Sequence, residues 1–244
     1  MSKKIFEDYT EVTNYKLLHK TPIIIHFNGR GFKRVSSLLD KPFSYDLSKC
    51  FQTALYKCCI EFEGCVFGYQ FNDEFIFILR NDQHKETVPW YDNRLQKILS
   101  STTSILTYNF TLSCNSFDLS LVGDPIFIGN VFNVSKSSDC INYLIFSQNK
   151  NFIHSLNLAC EYELLKLNFN KDYIYDLIKA MSVDDKKDLL LNTCNIDFLN
   201  YPIEFRRGVG CYRVKKEEKN KWVIDNELNI FYENINMLSS IISV

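Results

Sequence analysis

Two runs of aromatic and β-branched residues, Cys65-Val66-Phe67-Gly68-Tyr69-Gln70-Phe71 and Glu74-Phe75-Ile76-Phe77-Ile78-Leu79, are separated by Asn72-Asp73 alone. Strand-forming runs flanking so short a polar turn predict a β-hairpin with the acidic pair Asp73-Glu74 at its tip. Upstream, Pro22-Ile23-Ile24-Ile25-His26-Phe27 reads as a buried strand, and Asn28-Gly29-Arg30-Gly31 as a tight glycine-bearing loop that ends it. Between strand and hairpin, Leu47, Phe51, Ala54, Leu55, Cys58 and Phe62 recur at three- and four-residue intervals. This is an amphipathic helix, with Ser44 available as its N-cap and Gly64 as its stop.

After Pro89-Trp90, the residues Leu95, Ile98, Leu99, Ile105 and Leu106 mark a second long helix. A strand near 125–134 follows, then helical segments over about 138–167 and 172–180. Ser182-Val183-Asp184-Asp185 resembles a capping box with Asp where Glu or Gln is preferred, and a short helix through Leu191 should follow. Residues 202–213 and 222–224 read as strands around the charged turn 215–220. Interleaved strands and helices with an early antiparallel hairpin predict an α+β fold: an antiparallel or mixed sheet flanked by helices, with helical insertions and a C-terminal strand pair. No repeat or low-complexity linker divides the 244 residues, so we expect one domain.

Lys plus Arg number 28 against 29 Asp plus Glu, which excludes the overwhelming basicity that alone would signal nucleic-acid binding; a local basic face stays open. Aromatic residues make up 15% of the chain, 20 of them Phe, and the plain reading is a Phe-rich core with β content. The nine cysteines form no C-x-x-C pair and sit in apolar surroundings, as small core residues of an intracellular protein would. The start of the chain turns acidic at Glu7-Asp8, where a signal peptide would run apolar, and no apolar stretch approaches the ~20 residues that span a bilayer. A cytoplasmic location is expected, with no membrane partner. His19, His26, His84 and His154 lack metal-ligand spacing, and there is no nucleophile elbow, Walker A loop or zinc pattern.

A strand whose end carries one metal ligand, beside a hairpin whose tip carries another, is the geometry of palm-type nucleotidyl transfer. Asp73 and Glu74 provide the hairpin half. Taken alone, a hairpin-tip Asp-Glu is more often a solvated turn than an ion site. The Asn28–Phe32 loop can likewise be a simple turn, or a set of exposed backbone N–H groups for phosphate oxygens with Arg30 and Lys33 nearby.

The combination is more specific. Residues 22–34, Lys41-Pro42 before a helix, and Phe67-Gly68-Tyr69-Gln70-Phe71-Asn72-Asp73-Glu74-Phe75-Ile76-Phe77 are together similar to the core of the tRNA-His guanylyltransferases and their Thg1-like relatives. Fainter likeness continues through 90–108, 182–188 and Pro202-Ile203-Glu204-Phe205-Arg206-Arg207-Gly208, which resembles the family's C-terminal strand. The resemblance implies a palm-like catalytic core over about 20–135, followed by a helical and C-terminal part over about 136–244. It further implies metal-dependent addition of nucleotides to the 5′ end of tRNA or another RNA in the 3′-to-5′ direction. The cofactors implied are Mg²⁺ and a nucleoside triphosphate, GTP or ATP, and the assembly implied is a homo-tetramer. By the same resemblance, Asp73 with Glu74 would hold the divalent ions, joined by the Gly29 carbonyl and by Asn28. The backbone N–H groups of Gly29, Arg30, Gly31 and Phe32, together with Lys41, would contact the triphosphate.

The departures shape the expectation. The family has Asp where this chain has Asn28, and an amide offers an oxygen but no negative charge toward two divalent ions. Its Arg-Gln-x-Asp-x-His-Ile-Asn-Asn survives only as Gln148 and Ile153; His154 is near the missing His but out of register with it. Lys186-Lys187-Asp188 stands for Lys-Asn-Glu. Two readings follow: a nucleotidyltransferase, with a basic track leading to Asp73 and a base stacked near Phe32; or a lapsed relative that binds nucleotide or RNA without turning it over.

Overall fold

The computed structural model describes residues 3–11, 13–83, 86–216 and 219–243. His84 and the Glu217-Glu218 tip of the charged turn lie outside them. The hairpin forms as expected: β2 (Cys65–Phe71) and β3 (Glu74–Leu79) pair antiparallel, and Asn72 takes φ 49°, the left-handed turn conformation that Asn tolerates. β1 spans Ile23–Arg30 and pairs with β3, so Asn28, Gly29 and Arg30 belong to the strand and not to a loop. The turn comes at Gly31, whose φ of 71° suits glycine, and leads into the short α2 (Phe32–Val35).

α3 (Tyr45–Glu61) is capped by Ser44, whose Oγ accepts from the Leu47 N–H at 3.4 Å. α4 (Leu95–Ser116) leads to β4 (Ile126–Asn133), which pairs with the other edge of β1. Then come α5 (Ser137–Lys166), α6 (Lys171–Ala180) and α7 (Val183–Cys194). The Ser182 box is real even with its Asp: Ser182 Oγ accepts from Asp185 N at 3.2 Å, and Asp185 Oδ2 accepts from Ser182 N at 3.1 Å.

Residues Ile203–Arg207 are the helix α8, a correction to the strand expected over 202–208. Strand character begins at β5 (Val209–Lys216), which forms a hairpin with β6 (Lys219–Asp225). The chain also has α1 (Lys3–Glu11) and α9 (Ile235–Ile242), which the periodicity had not indicated.

All ladders are antiparallel, in the order β4-β1-β3-β2-β5-β6. Strand alternation sorts the side chains to two faces. Ile23, Ile25, Phe27, Phe75 and Phe77 pack beneath α3 and α4, while Ile24, Ile76, Ile78, Phe67 and Tyr69 pack beneath α5 and α9. Each fully buried Phe contributes about 1.5–3 kcal/mol of transfer free energy, so the aromatic excess is mainly the substance of this core. A third cluster joins the C-terminal half of α5 to α6, α7 and α8 through Leu156, Leu164, Ile174 and Phe205. Eight of the nine free cysteines are buried, in keeping with the reading of them as core residues. No helix among the described residues is long and apolar enough to cross a membrane.

Candidate active site

The β1–β3 register sets Asn28 directly opposite Glu74, and beyond that pair the Gly29 N–H donates to the Asp73 carbonyl at 2.9 Å. The four residues named around the expected ion site therefore converge at one end of this ladder. Gly29 has no alternative there: a Cβ would fall 2.2 Å from the Phe32 ring and 2.7 Å from Asp73 Cβ.

Beside this end, on the α3 side of the sheet, opens a cleft of about 580 Å³ bounded by the 32–44 segment, α3, the hairpin tip and α5. Lys33 and Lys41 line it, as do Asp73, His154 and Glu204. Lys41 Nζ donates to Ser36 Oγ at 3.0 Å; partial burial, and then Lys33, hold its pKa below the usual lysine value. Two neighbouring cations that repel each other, both exposed at the edge of the cleft, favour an anion between them. On the Asp73 carboxyl, burial, with Glu74 adding to it, raises the pKa to about 6. Glu204 is also pushed up by burial, although its carboxylate accepts from Ser48 Oγ at 3.2 Å and Gln52 Nε2 at 2.5 Å. Partial desolvation by its neighbours lowers the His154 pKa from the usual histidine value, although the residue keeps an exposed position on α5. Its presence in the cleft could not be carried over by motif, because it is displaced along α5 from the family's His.

Glu74 departs from expectation. It lies on the opposite face of the sheet, where Lys150 Nζ donates to its two oxygens at 3.1 and 3.0 Å and His26 Nε2 lies 2.8 Å from Oε1. His26 Nδ1 in turn meets the Tyr143 hydroxyl at 2.6 Å. Burial raises the Glu74 pKa, but His26 and Lys150 outweigh it, leaving the carboxyl below its usual range. A carboxylate that already accepts from Lys150 and lies against the His26 ring is poorly placed to ligate an ion, so Glu74 anchors the hairpin tip to α5.

Phe32 is a second correction. Only 7% exposed, its ring packs on Phe51, Phe110 and Phe127 with centroids 5.1–5.8 Å away, so it belongs mainly to the core and reaches the cleft only as part of its wall. Arg30 is exposed, and strand alternation directs it away from the cleft. Gln148, retained from the motif, is structural: its Oε1 accepts from Phe231 N at 2.7 Å and its Nε2 donates to the Asn229 carbonyl at 3.2 Å. Among the described residues no group of three His, Cys, Asp or Glu is arranged to hold a metal. The available donors, Asp73 carboxylate, Asn28 amide and Gly29 carbonyl, are hard oxygens carrying one negative charge. They suit one Mg²⁺ balanced by triphosphate better than a pair of ions.

Comparison with known proteins agrees with this architecture. The family described as tRNAHis guanylyltransferase (Thg1) matches residues 3–135. The chain is 26% identical over 246 residues to tRNA(His) guanylyltransferase 2 of Arabidopsis thaliana, covering 95% of this chain and 45% of that protein. It is 25% identical to a probable tRNA(His) guanylyltransferase of Dictyostelium discoideum, covering 84% of this chain and 80% of the relative. The chain thus spans less than half of each of the two Arabidopsis relatives it matches, 45% and 36% of their lengths. Among solved structures, a bacterial tRNA(His) guanylyltransferase (Thg1)-like protein in complex with ATP superposes with a TM-score of 0.85 at 21% identity, covering 98% of this chain and 97% of that one. The same kind of protein in complex with GTP gives 0.81 at 20% identity, covering 99% and 98%. The tRNA(His) guanylyltransferase of Saccharomyces cerevisiae gives 0.74 at 17% identity, covering 90% and 99%. These likenesses establish a shared fold, and with the family match over more than half its length the chain belongs to the Thg1 family of tRNA(His) guanylyltransferases.

Proposed function

We propose that the protein is a nucleotidyltransferase that adds a nucleotide to the 5′ end of a tRNA or another RNA in the 3′-to-5′ sense. The observation that carries this reading is the juxtaposition of the Gly29–Asp73 backbone contact with a cleft holding Lys33 and Lys41. Addition in this direction joins the 3′-hydroxyl of an incoming nucleoside triphosphate to the α-phosphorus of an activated RNA 5′ end, a 5′-triphosphate or 5′-adenylate, whose bond to pyrophosphate or AMP breaks as the hydroxyl proton is taken up by a base. Lys33 and Lys41 hold the triphosphate of ATP or GTP, the nucleotides found in the bacterial relatives. Asp73 and His154 are the cleft groups able to accept the hydroxyl proton at neutral pH. When Mg²⁺ is bound, Asp73, Gly29 and Asn28 would hold it, and it would supply positive charge to the phosphates. The homo-tetramer implied by family resemblance belongs to this reading and is checked by light scattering.

The test is incorporation of labelled ATP or GTP at the 5′ end of activated tRNA, carrying a 5′-triphosphate, comparing the natural chain with Asp73→Ala and Asn28→Asp. Incorporation that falls at least 100-fold in Asp73→Ala supports the enzyme. A second reading, a lapsed catalyst that retains binding, is favoured by Asn28 and by the engagement of Glu74 with Lys150. Incorporation that emerges only with Asn28→Asp would establish it. An inert Asn28→Asp chain with nucleotide bound overturns the site assignment.

A further inference from the structure

The face of the sheet opposite the cleft is open at the end where the hairpin tip lies. Phe27 and Phe127 turn inward beneath α3 and α4, so alternation brings Asn28 and Arg30 of β1, with Ile128 and Ile126 of β4, out on the other face. Register sets Asn28 against Ile128 and Arg30 against Ile126. α5 covers the far end of this face, where Tyr143 meets Phe132 and His26. It leaves the near end bare: Ile126 is 47% exposed and Ile128 55%. Along α5, Tyr143, Phe146 and Lys150 recur at three- and four-residue spacing on one helix face. Phe146, 64% exposed, therefore stands between the residue over Phe132 and the residue on Glu74. A lone exposed isoleucine needs no explanation, but two exposed isoleucines side by side on β4, with an exposed phenylalanine on the helix that crosses this face and cations beside them, do. The charges that β1, β3 and this row of α5 present here are Arg30, Glu74 and Lys150. Glu74 is drawn under Lys150 and His26, so the cations dominate.

We propose that this face seats the 5′-terminal nucleotide of the RNA substrate, its base against Ile126, Ile128 and Phe146 and its phosphates toward Arg30 and Lys150. The proposal rests on the nucleotidyltransferase reading and deepens it. With the triphosphate in the cleft on one face and the RNA end on the other, the two substrates meet at the tip formed by Asn28, Gly29 and Asp73. Positive charge beside apolar side chains fits a phosphate backbone with an unpaired base, and continuity with the tip fits the end of a strand.

The experiment measures fluorescence anisotropy of a 5′-phosphorylated RNA hairpin with one unpaired 5′ nucleotide, dye-labelled at its 3′ end. In parallel, a fluorescent GTP analogue reports the cleft, and light scattering reports assembly. Ile128→Asp and, separately, Phe146→Asp are expected to weaken RNA binding at least tenfold while leaving GTP-analogue affinity within twofold. The second variant, on an exposed helix position, keeps the test valid if the strand variant misfolds. Unchanged RNA affinity in both overturns the proposal. Altered assembly with unchanged RNA affinity overturns it as well, and assigns the face to a second copy of the chain. A natural chain that binds no RNA removes the RNA reading and this proposal together. RNA binding lost in the variants of a chain that never incorporates nucleotide removes only the enzymatic reading.

Discussion

Gly29 shows how little room one residue can have. Its missing Cβ is what allows β1 to pass against both Phe32 and Asp73. Gly29→Ala should destabilise the fold by about 1–3 kcal/mol, read by urea denaturation, because the nearest obstacles are a packed ring and a neighbouring side chain. Asp73 provides a pH signature. Its pKa is raised from 3.8 to about 6 in the fold, so the stability it contributes is fully present below about pH 4 and is lost as pH rises through 6. Asp73→Asn should therefore melt like the natural chain near pH 4 in chelator and above it at pH 8, by on the order of 1–3 kcal/mol. Asp73, Gly29 and Lys41 could be assigned to the site by motif, because backbone geometry and local spacing place them. The engagement of Glu74 could not, since its partner Lys150 lies 76 residues along the chain and only tertiary packing brings it there.

At the scale of elements, the early strand, helix and hairpin were legible because each is long enough to display its period and carries its own cap or turn. The helix Ile203–Arg207 was not. Ile203, Glu204, Phe205 and Arg206 alternate apolar with polar as a strand would, and five residues are too few to reveal a helical repeat. The fold favours the helix because Phe205 is needed in the cluster with Leu156 and Leu164, while Glu204 meets Ser48 and Gln52 of α3. Gln148 ties α5 to the segment before α9. Gln148→Leu leaves the buried Phe231 N–H without its acceptor and should cost about 1–3 kcal/mol in chemical denaturation. Ser182→Ala removes a cap from α7 and should cost about 1 kcal/mol in the same measurement, with cleft binding unaltered.

For the whole molecule, near-neutral net charge is compatible with RNA contact because the cations are local: Lys33 and Lys41 in the cleft, Arg30 and Lys150 across the sheet. Nine cysteines of which only Cys194 is partly exposed make global unfolding easy to count. A disulfide exchange reagent should titrate one thiol slowly in the native protein, where burial raises the Cys194 pKa, and all nine in denaturant. Saturating nucleotide should protect the fold: at one hundred times Kd, a ligand of the native state alone adds about 2.7 kcal/mol, visible as a rise in Tm.

The strand order has a consequence for how the molecule is made. β2 lies between β3 and β5, yet β5 does not begin until Val209. On a ribosome adding ~5–20 residues per second, the outer edge of β2 waits roughly seven to thirty seconds for its neighbour. During that interval a strand rich in Phe and Tyr presents unpaired amides and carbonyls, a template on which another nascent chain can dock. The seam between β2 and β5 is thus a place where a cell's chaperones have an open edge to shield during synthesis.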